Sequence, residues 1–395
     1  MPGTAYDVIV LGLGAMGSAA ACHLARRGAR VLGLDRFAPP HSNGSSSGRS
    51  RIIREAYFEH PAYVPMVQHA YALWEALERD SGRRLVLKTG GLMIGAPAGA
   101  LVAGALLSAR THGLRHEVLD AGELRRRFPA LRPQPDTVAV WEPRAGVLFP
   151  EDCVAAHLEL AARAGAKLKP DEPALEWSAT SEGVEVRTAR GRHRAGQLLL
   201  ACGAWTTGLL PELRLPLVAQ RQVQLWFEPL EAGAPGEAGS PGEPGAFSPE
   251  RFPVFIWEDE PGRFIYGFPE LGDGVKVARH HEGEQVDPNH ARREVTDDDV
   301  WPIREVLGRL IPGANGRLRD SAVCLYTNAP DSHFVLDFHP AQPQVLIASP
   351  CSGHGFKFAS ALGETMADLL LGVPPRFDLG LFRIGRFRPV SENQG

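Results

Sequence analysis

The stretch from Asp7 to Asp35 sets the terms for the rest of the chain. Val8 to Leu11 is an apolar run suited to a strand buried on both faces. It leads into Gly12-Leu-Gly14-Ala-Met16-Gly17, a G-x-G-x-x-G at the turn into a helix. Gly12 permits the tight turn, Gly14 lets backbone approach a pyrophosphate, and Gly17 lets helix and strand pack closely. The helix N-terminus offers free N–H groups and a positive dipole end to phosphates. Gly28 stops the helix, and Arg30 to Leu34 forms a second strand. Asp35 lies 18 residues beyond Gly17 (35 − 17), where an acid bonds ribose hydroxyls. Asp rather than Arg at that place points to FAD or NAD and away from NADP. The motif alone does not choose between those two.

With 395 residues the chain is too long for one small core, so two domains or one large insertion are expected. Hydrophobic content of 44% with 22% charged residues describes a soluble globular protein. A net charge of −4 argues against nucleic acid as a partner. No apolar run approaches the roughly 18 residues that span a bilayer, so no membrane association is expected. The start leads straight into the first strand and the last residues are not a peroxisomal address, so neither a signal peptide nor peroxisomal targeting is expected. Cys22, Cys153, Cys202, Cys324 and Cys351 are odd in number and lack metal spacing. A reduced, cytoplasmic setting with no metal site is the expectation.

Beyond Asp35 a Gly- and Ser-rich loop ends in Arg49, Arg51 and Arg54. It reads as a solvated loop or as a backbone nest with arginines aimed at anions. Helical spacing runs from Tyr63 to Arg79, through 100–130, from Glu151 to Gly165, over 298–311 and from Ala359 to Leu371. Strands are expected near 91–95, around the Gly turn between Val138 and Leu148, at 174–177 and 183–188, and at Leu198 to Trp205. The last of these suggests a return to the nucleotide-binding part. Residues 254–257, 264–267 and 275–278 suggest an antiparallel sheet, followed by strands at 322–326, 334–337 and 345–349. Residues 231–249 are Gly, Pro, Ala, Glu and Ser with almost no apolar content, and read as a flexible loop.

Three later stretches narrow the choice: Arg51-Ile-Ile-Arg54, Cys324-Leu-Tyr-Thr-Asn-Ala-Pro-Asp331 and Ser352-Gly-His-Gly-Phe-Lys-Phe358. With the N-terminal fingerprint they resemble the monomeric sarcosine oxidase family, which includes N-methyltryptophan and pipecolate oxidases within the glycine oxidase and D-amino acid oxidase group. The likeness runs nearly end to end, through Tyr266-Gly-Phe-Pro and Phe382-Arg-Ile-Gly-Arg-Phe387. It implies FAD, attached covalently from a cysteine sulfur to the flavin 8α carbon. Cys324 matches that cysteine; on sequence grounds alone it reads as a core residue. Cys351 is the competing attachment candidate. The resemblance also implies a secondary amine substrate bearing a carboxylate. Arg54 and Lys357 match the carboxylate-binding pair, against the plainer readings that Arg54 pairs with Glu55 or Glu59 and Lys357 caps a surface helix. Lys276 matches the lysine over the flavin that stabilises developing superoxide. His280, Tyr266 and Tyr326 match pocket residues, and His354, Gly353, Gly355, Arg51 and Ser50 match groups beside the flavin. Met16, Arg36, Ser45 and Ala174 are assigned to cofactor contacts on the same footing.

Ser46, Ser47, Arg49 and Ser50 stand where relatives carry two His and an Asp-Thr. Ile256-Trp257 stands where relatives often have a smaller or flexible residue. The spacing from Tyr266 to Lys276 is one residue shorter. These departures bear on the substrate side chain. The expected fold is a mixed α/β chain. A Rossmann-like FAD-binding domain is formed by 1–87, 150–218 and 328–395. A substrate domain with a mostly antiparallel sheet is formed by 88–149 and 219–327. The expected activity is oxidation of the N–C bond of sarcosine or another N-methyl amino acid by a monomer, with O2 as acceptor and hydrogen peroxide as product. Rivals are a cyclic substrate such as proline or pipecolate, a dehydrogenase that reacts poorly with O2, an NAD-dependent dehydrogenase, and a non-catalytic FAD-binding protein.

Overall fold

A computed structural model describes residues 6–230 and 245–387. The chain opens with β1 (Tyr6–Leu11), α1 (Ala15–Arg26), β2 (Val31–Leu34) and β3 (Arg51–Ile53). Next come α2 (Val64–Ser81), β4 (Val86–Lys88), β5 (Gly91–Gly95), α3 (Ala100–His112), β6 (Glu117–Asp120) and α4 (Ala121–Arg127). They are followed by β7 (Val138–Glu142), β8 (Gly146–Leu148), α5 (Pro150–Arg163), β9 (Lys167–Lys169), β10 (Ala174–Thr180), β11 (Gly183–Thr188) and β12 (Gly191–Leu200). The remainder is β13 (Val218–Phe227), β14 (Val254–Glu260), β15 (Arg263–Glu270), β16 (Val275–His280), α6 (Asp297–Leu310), β17 (Leu318–Asn328), β18 (Val335–His339), β19 (Gln342–Ser349) and α7 (Ala359–Leu370).

The first sheet is centred on β1, which pairs in parallel with β2 on one side and β12 on the other. Parallel β9 and β19 extend it, and antiparallel β10, β11 and β18 complete it. Val8 to Leu11 are at most 2% exposed, as strands covered on both faces must be. α1 packs on α5 and α7. A Cβ on Gly363 of α7 would come within 2.5 Å of the Ala19 Cβ, so only glycine allows that approach.

The second sheet runs β17-β13-β16-β15-β14-β5-β7-β6 and is antiparallel except where β14 meets β5. Its core faces α6 through Phe255, Trp257, Leu307 and Leu310. A third, small sheet joins β3, β8 and β4. The strands expected around the Gly turn at 138–148 are β7 and β8, and they join different sheets, β7 the second and β8 the third.

The expected helix through 100–130 is corrected. Gly113 ends α3 with φ of 61°, β6 follows, and Asp120 caps a separate α4 by accepting from the Glu123 N–H at 2.7 Å. Of the loop expected at 231–249, residues 231–244 lie outside the described residues. Beyond them Phe247 is buried against Phe252, so the loop's end is anchored. No helix among the described residues is long and apolar enough to cross a membrane.

Candidate active site

One cavity of about 410 Å³ has its wall built from the turn after β1, the loop before β3, the second sheet and the segment before α7. At one end lie Arg36, Phe37, Trp205 and Asn289. Asn289 Oδ1 accepts from Arg36 at 2.6 Å and from the Trp205 indole at 3.0 Å. The β1–α1 turn forms the next stretch through Gly12, Gly14 and Met16. Gly12 has φ of 87°, and a Cβ there would lie 2.4 Å from the Ala201 carbonyl oxygen. Gly17 stands behind the wall, where a Cβ would lie 1.7 Å from the Gly12 carbonyl oxygen. Asp35 is 6% exposed, and its two oxygens accept from the Leu13 and Phe37 N–H groups. A close-packed glycine turn at a helix N-terminus, with a fixed acid one strand away, fits the pyrophosphate and ribose of a dinucleotide. Ala174 and Ser45 complete this part.

Arg51 marks the middle. Its guanidinium donates to the backbone carbonyls of Ser45, Ser47 and Ser50, which fixes a cation on the wall. The bend that bears Ser45 to Arg49 is held by the Glu151 carboxylate, which accepts from the Gly48 and Arg49 N–H groups. Arg49 itself points away. It is 45% exposed, ion-pairs with Asp320 and Asp273, and lies over the Trp226 ring. Of the two readings of this loop, solvated surface or arginines aimed at anions, Arg49 fits the first.

The far end collects Arg54, Lys357, Tyr266, His280, Tyr326, Gly353, His354 and Gly355, residues from five separate parts of the chain. Gly353 has φ of 74°, and a Cβ there would meet the Tyr326 and His280 rings at 2.6 and 2.7 Å. His280 Nδ1 and the Tyr326 hydroxyl are 3.1 Å apart. Burial pushes His280 well below the ordinary imidazole range and His354 down to about 4, so both rings are neutral at pH 7. Lys357 is buried rather than a surface cap. Its ammonium donates to the His354 carbonyl at 2.7 Å, and burial, with Arg54 nearby, pushes it down to about 7. Arg54 both lines the cavity and makes the pair weighed from sequence, donating to Glu59 at 2.7 and 2.8 Å. Burial opposes the Glu59 charge, but Arg54, His354 and Lys357 together outweigh it and hold the carboxyl below its usual range.

Besides Gly17, three expected site residues, Lys276, Ser50 and Cys324, stand behind the wall rather than on it. Lys276 is 1% exposed and donates to the carbonyls of Gly48 and Ser50 and to the Ser50 hydroxyl. Burial, with Arg51 nearby, pushes its ammonium well below the usual lysine range. Ser50 is therefore the link between Lys276 and Arg51. The Cys324 sulfur accepts from Gln224 at 2.9 Å and is 1% exposed, whereas Cys351 lines the cavity. Sequence reasoning missed Phe58, Trp205 and Asn289, which also line it, and named Glu59 only as a partner for Arg54. Phe58 is signalled only by its place just after Arg54; nothing in the sequence marks Asn289.

A glycine-cradled nucleotide end continuous with a buried, cation-bearing pocket fits a dinucleotide-dependent oxidoreductase. Residues 7–369 match the DAO family, FAD dependent oxidoreductase, and the chain belongs to that family, which makes the dinucleotide FAD. It is 47% identical over 381 residues to a monomeric sarcosine oxidase of Streptomyces avermitilis, covering 95% of this chain and 96% of that one. It is 34% identical over 388 residues to an N-methyl-L-tryptophan oxidase of Salmonella heidelberg, covering 97% and 99%. Among solved structures, the open form of NikD, an unusual amino acid oxidase essential for nikkomycin biosynthesis, matches with TM-score 0.81 and 27% identity over 96% of this chain and 97% of that one.

Proposed function

We propose that the protein oxidises the N–C bond of a secondary amino acid, sarcosine or another N-methyl amino acid, to an imine that hydrolyses, with O2 reduced to hydrogen peroxide. The observation that carries this reading is that Arg54 and Lys357, close enough for one to depress the other's ammonium, line one buried cavity with Tyr266, His280 and Tyr326. Arg51, Arg54 and Lys357 outnumber the Glu59 carboxylate that pairs with Arg54, and the surplus of cations suits a substrate carboxylate that would be costly to bury unpaired. The names of the similar oxidases support the same substrate class. FAD supplies the two-electron acceptor when bound. Arg54 and Lys357 hold the carboxylate, and with Arg51 they disfavour a protonated amine, so the amine binds as the free base without a general base. The aromatic wall keeps water out. Lys276 and Arg51 provide the positive field that favours electron transfer to O2.

The 1–87, 150–218 and 328–395 segments act as the FAD-binding domain and the rest as the substrate domain, which the strand membership of the two large sheets supports. A reduced, cytoplasmic compartment is supported by the odd number of cysteines without metal spacing, and a monomeric state by the name of the similar monomeric sarcosine oxidase. Cys324 carries the flavin through its sulfur, on the strength of its motif. A second reading rests on one observation, that Cys351 rather than Cys324 lines the cavity.

Anaerobic mixing with sarcosine, N-methyltryptophan, proline and pipecolate tests the function. Bleaching of the flavin by an N-methyl amino acid, with peroxide formed on admitting air, is expected. Bleaching by none of them sinks the amino acid reading. The attachment is tested by acid precipitation of Cys324→Ala and Cys351→Ala. The first should release its flavin and the second retain it; the reverse result moves the linkage to Cys351.

A further inference from the structure

Arg54 sits at the start of a short strap, residues 54–60, that runs from β3 to the 3-10 turn at Pro61–Tyr63. Three of its side chains, Arg54, Phe58 and Glu59, line the cavity. The strap is closed on itself, because Arg54 donates to the Ala56 carbonyl at 3.0 Å as well as to Glu59. What fixes it in space comes from elsewhere. Glu142, the last residue of β7 and 1% exposed, accepts from two successive N–H groups, Glu55 at 2.7 Å and Ala56 at 2.8 Å. One face of α3 supplies three further holds at a spacing of four residues. A Cβ on Gly104 would lie 2.4 Å from the Phe58 carbonyl oxygen, so the glycine allows strap and helix to touch. Ser108 donates to the Tyr57 carbonyl, and His112 donates to the Pro61 carbonyl at 2.9 Å. Positions i, i+4 and i+8 share a helix face, so one rigid helix meets the strap along its length.

We infer that Glu142, with the Gly104–Ser108–His112 face of α3, positions the strap, and that Glu142 is thereby a positioning residue for substrate carboxylate binding at Arg54. The inference rests on the carboxylate role given to Arg54 above. A carboxylate that takes both N–H groups of one bend sets the direction in which Arg54 leaves β3. With Glu142 truncated, two buried N–H groups lose their partner and the bend is free to relax. Arg54 and Glu59 then move as a pair, and the geometry they share with Lys357 is lost. The electron-transfer step, set by the flavin and the groups behind it, is less affected.

The test uses the flavin-loaded enzyme with Glu142→Ala, Glu142→Gln, Ser108→Ala and Arg54→Lys. Acetate is titrated by its perturbation of the flavin spectrum, and sarcosine turnover is split into kcat and KM. Glu142→Ala should weaken acetate and raise KM by about tenfold or more, with kcat within about threefold. Glu142→Gln, which keeps one acceptor oxygen, should fall between it and the parent, as should Ser108→Ala. Hydrogen exchange at the Glu55 and Ala56 amides should quicken in step with the loss. Unchanged acetate affinity in both Glu142→Gln and Ser108→Ala, while Arg54→Lys loses it, overturns the strap inference and leaves the site reading standing. Unchanged affinity in Arg54→Lys overturns the site reading itself. Should Glu142→Ala fail to fold, Glu142→Gln and Ser108→Ala decide the matter alone.

Discussion

Lys357 carries a pH dependence with two opposite signs. Its folded value of about 7 lies below the ordinary 10.5, because burial penalises the ammonium. Between those values the unfolded chain holds the proton and the folded chain does not, so this group's contribution to stability rises with pH across that window. Ligand binding runs the other way, since a carboxylate needs the ammonium. Above about pH 7, binding takes up a proton, and affinity for acetate should fall about tenfold per pH unit. Titrations from about pH 6 to about pH 9 should show that slope, and Lys357→Met should flatten it. A flat profile in the parent protein would place the carboxylate elsewhere. The chemistry of single residues was readable from sequence only in part. Lys276 on an alternating strand reads as solvent-facing, yet it is buried, because its acceptors are backbone carbonyls of a distant loop. Backbone acceptors leave no trace in residue identity. Arg54 and Glu59 were both in view, and the pairing and the cavity position coexist in one side chain.

The β1–α1 turn is the most demanding local structure. With Gly17→Ala the new Cβ would fall 1.7 Å from a backbone oxygen, so the turn itself must move. Overpacking of this kind costs about 1–3 kcal/mol, and the displaced N-terminus of α1 loses its aim at the pyrophosphate. Gly17→Ala should therefore lower Tm by several degrees and carry little FAD, read as the flavin-to-protein absorbance ratio. Full flavin loading at the parent Tm would show that the turn is not the phosphate cradle. This unit was legible because apolar run, glycines and acid fall in fixed order. So were α2 and α7, whose apolar spacing is helical over several turns. β13 was not, and its residues explain why. Arg221, Gln222 and Gln224 are at most 3% exposed within it, and Arg221 is neutralised by Asp299 of α6 at 2.7 Å. A strand that buries polar residues against a distant partner lacks the apolar signature by which strands are recognised. β6 was hidden for the opposite reason: three of its four residues are exposed, and it is an edge strand.

The cavity exists only where the two large sheets and the loop before β3 converge, and this convergence is what sequence patterning could not supply. The fingerprint located the nucleotide end. The substrate end depends on the register of β14 against β15, which puts Ile256 opposite Tyr266. Strand alternation then sends Trp257 to the other face, where it is 3% exposed in the core shared with α6. Ile256 lines the cavity, with Phe58 also in its wall. The departure at Ile256-Trp257 thus adds an aliphatic residue to the pocket, not an indole. An Ile256 side chain opposite Tyr266 in register should favour a small substituent over a large one. Sarcosine should accordingly bleach the flavin faster than N-methyltryptophan. Ile256→Ala should shift relative kcat/KM toward the bulkier amine by about tenfold, the range expected for a few methylene groups in an apolar pocket. Trp257→Phe should lower Tm and leave the ratio of the two substrates unchanged, because the ring it trims faces α6. A ratio that moves with Trp257→Phe and not with Ile256→Ala would mean that β14 presents its opposite face to the substrate, which the observed register forbids.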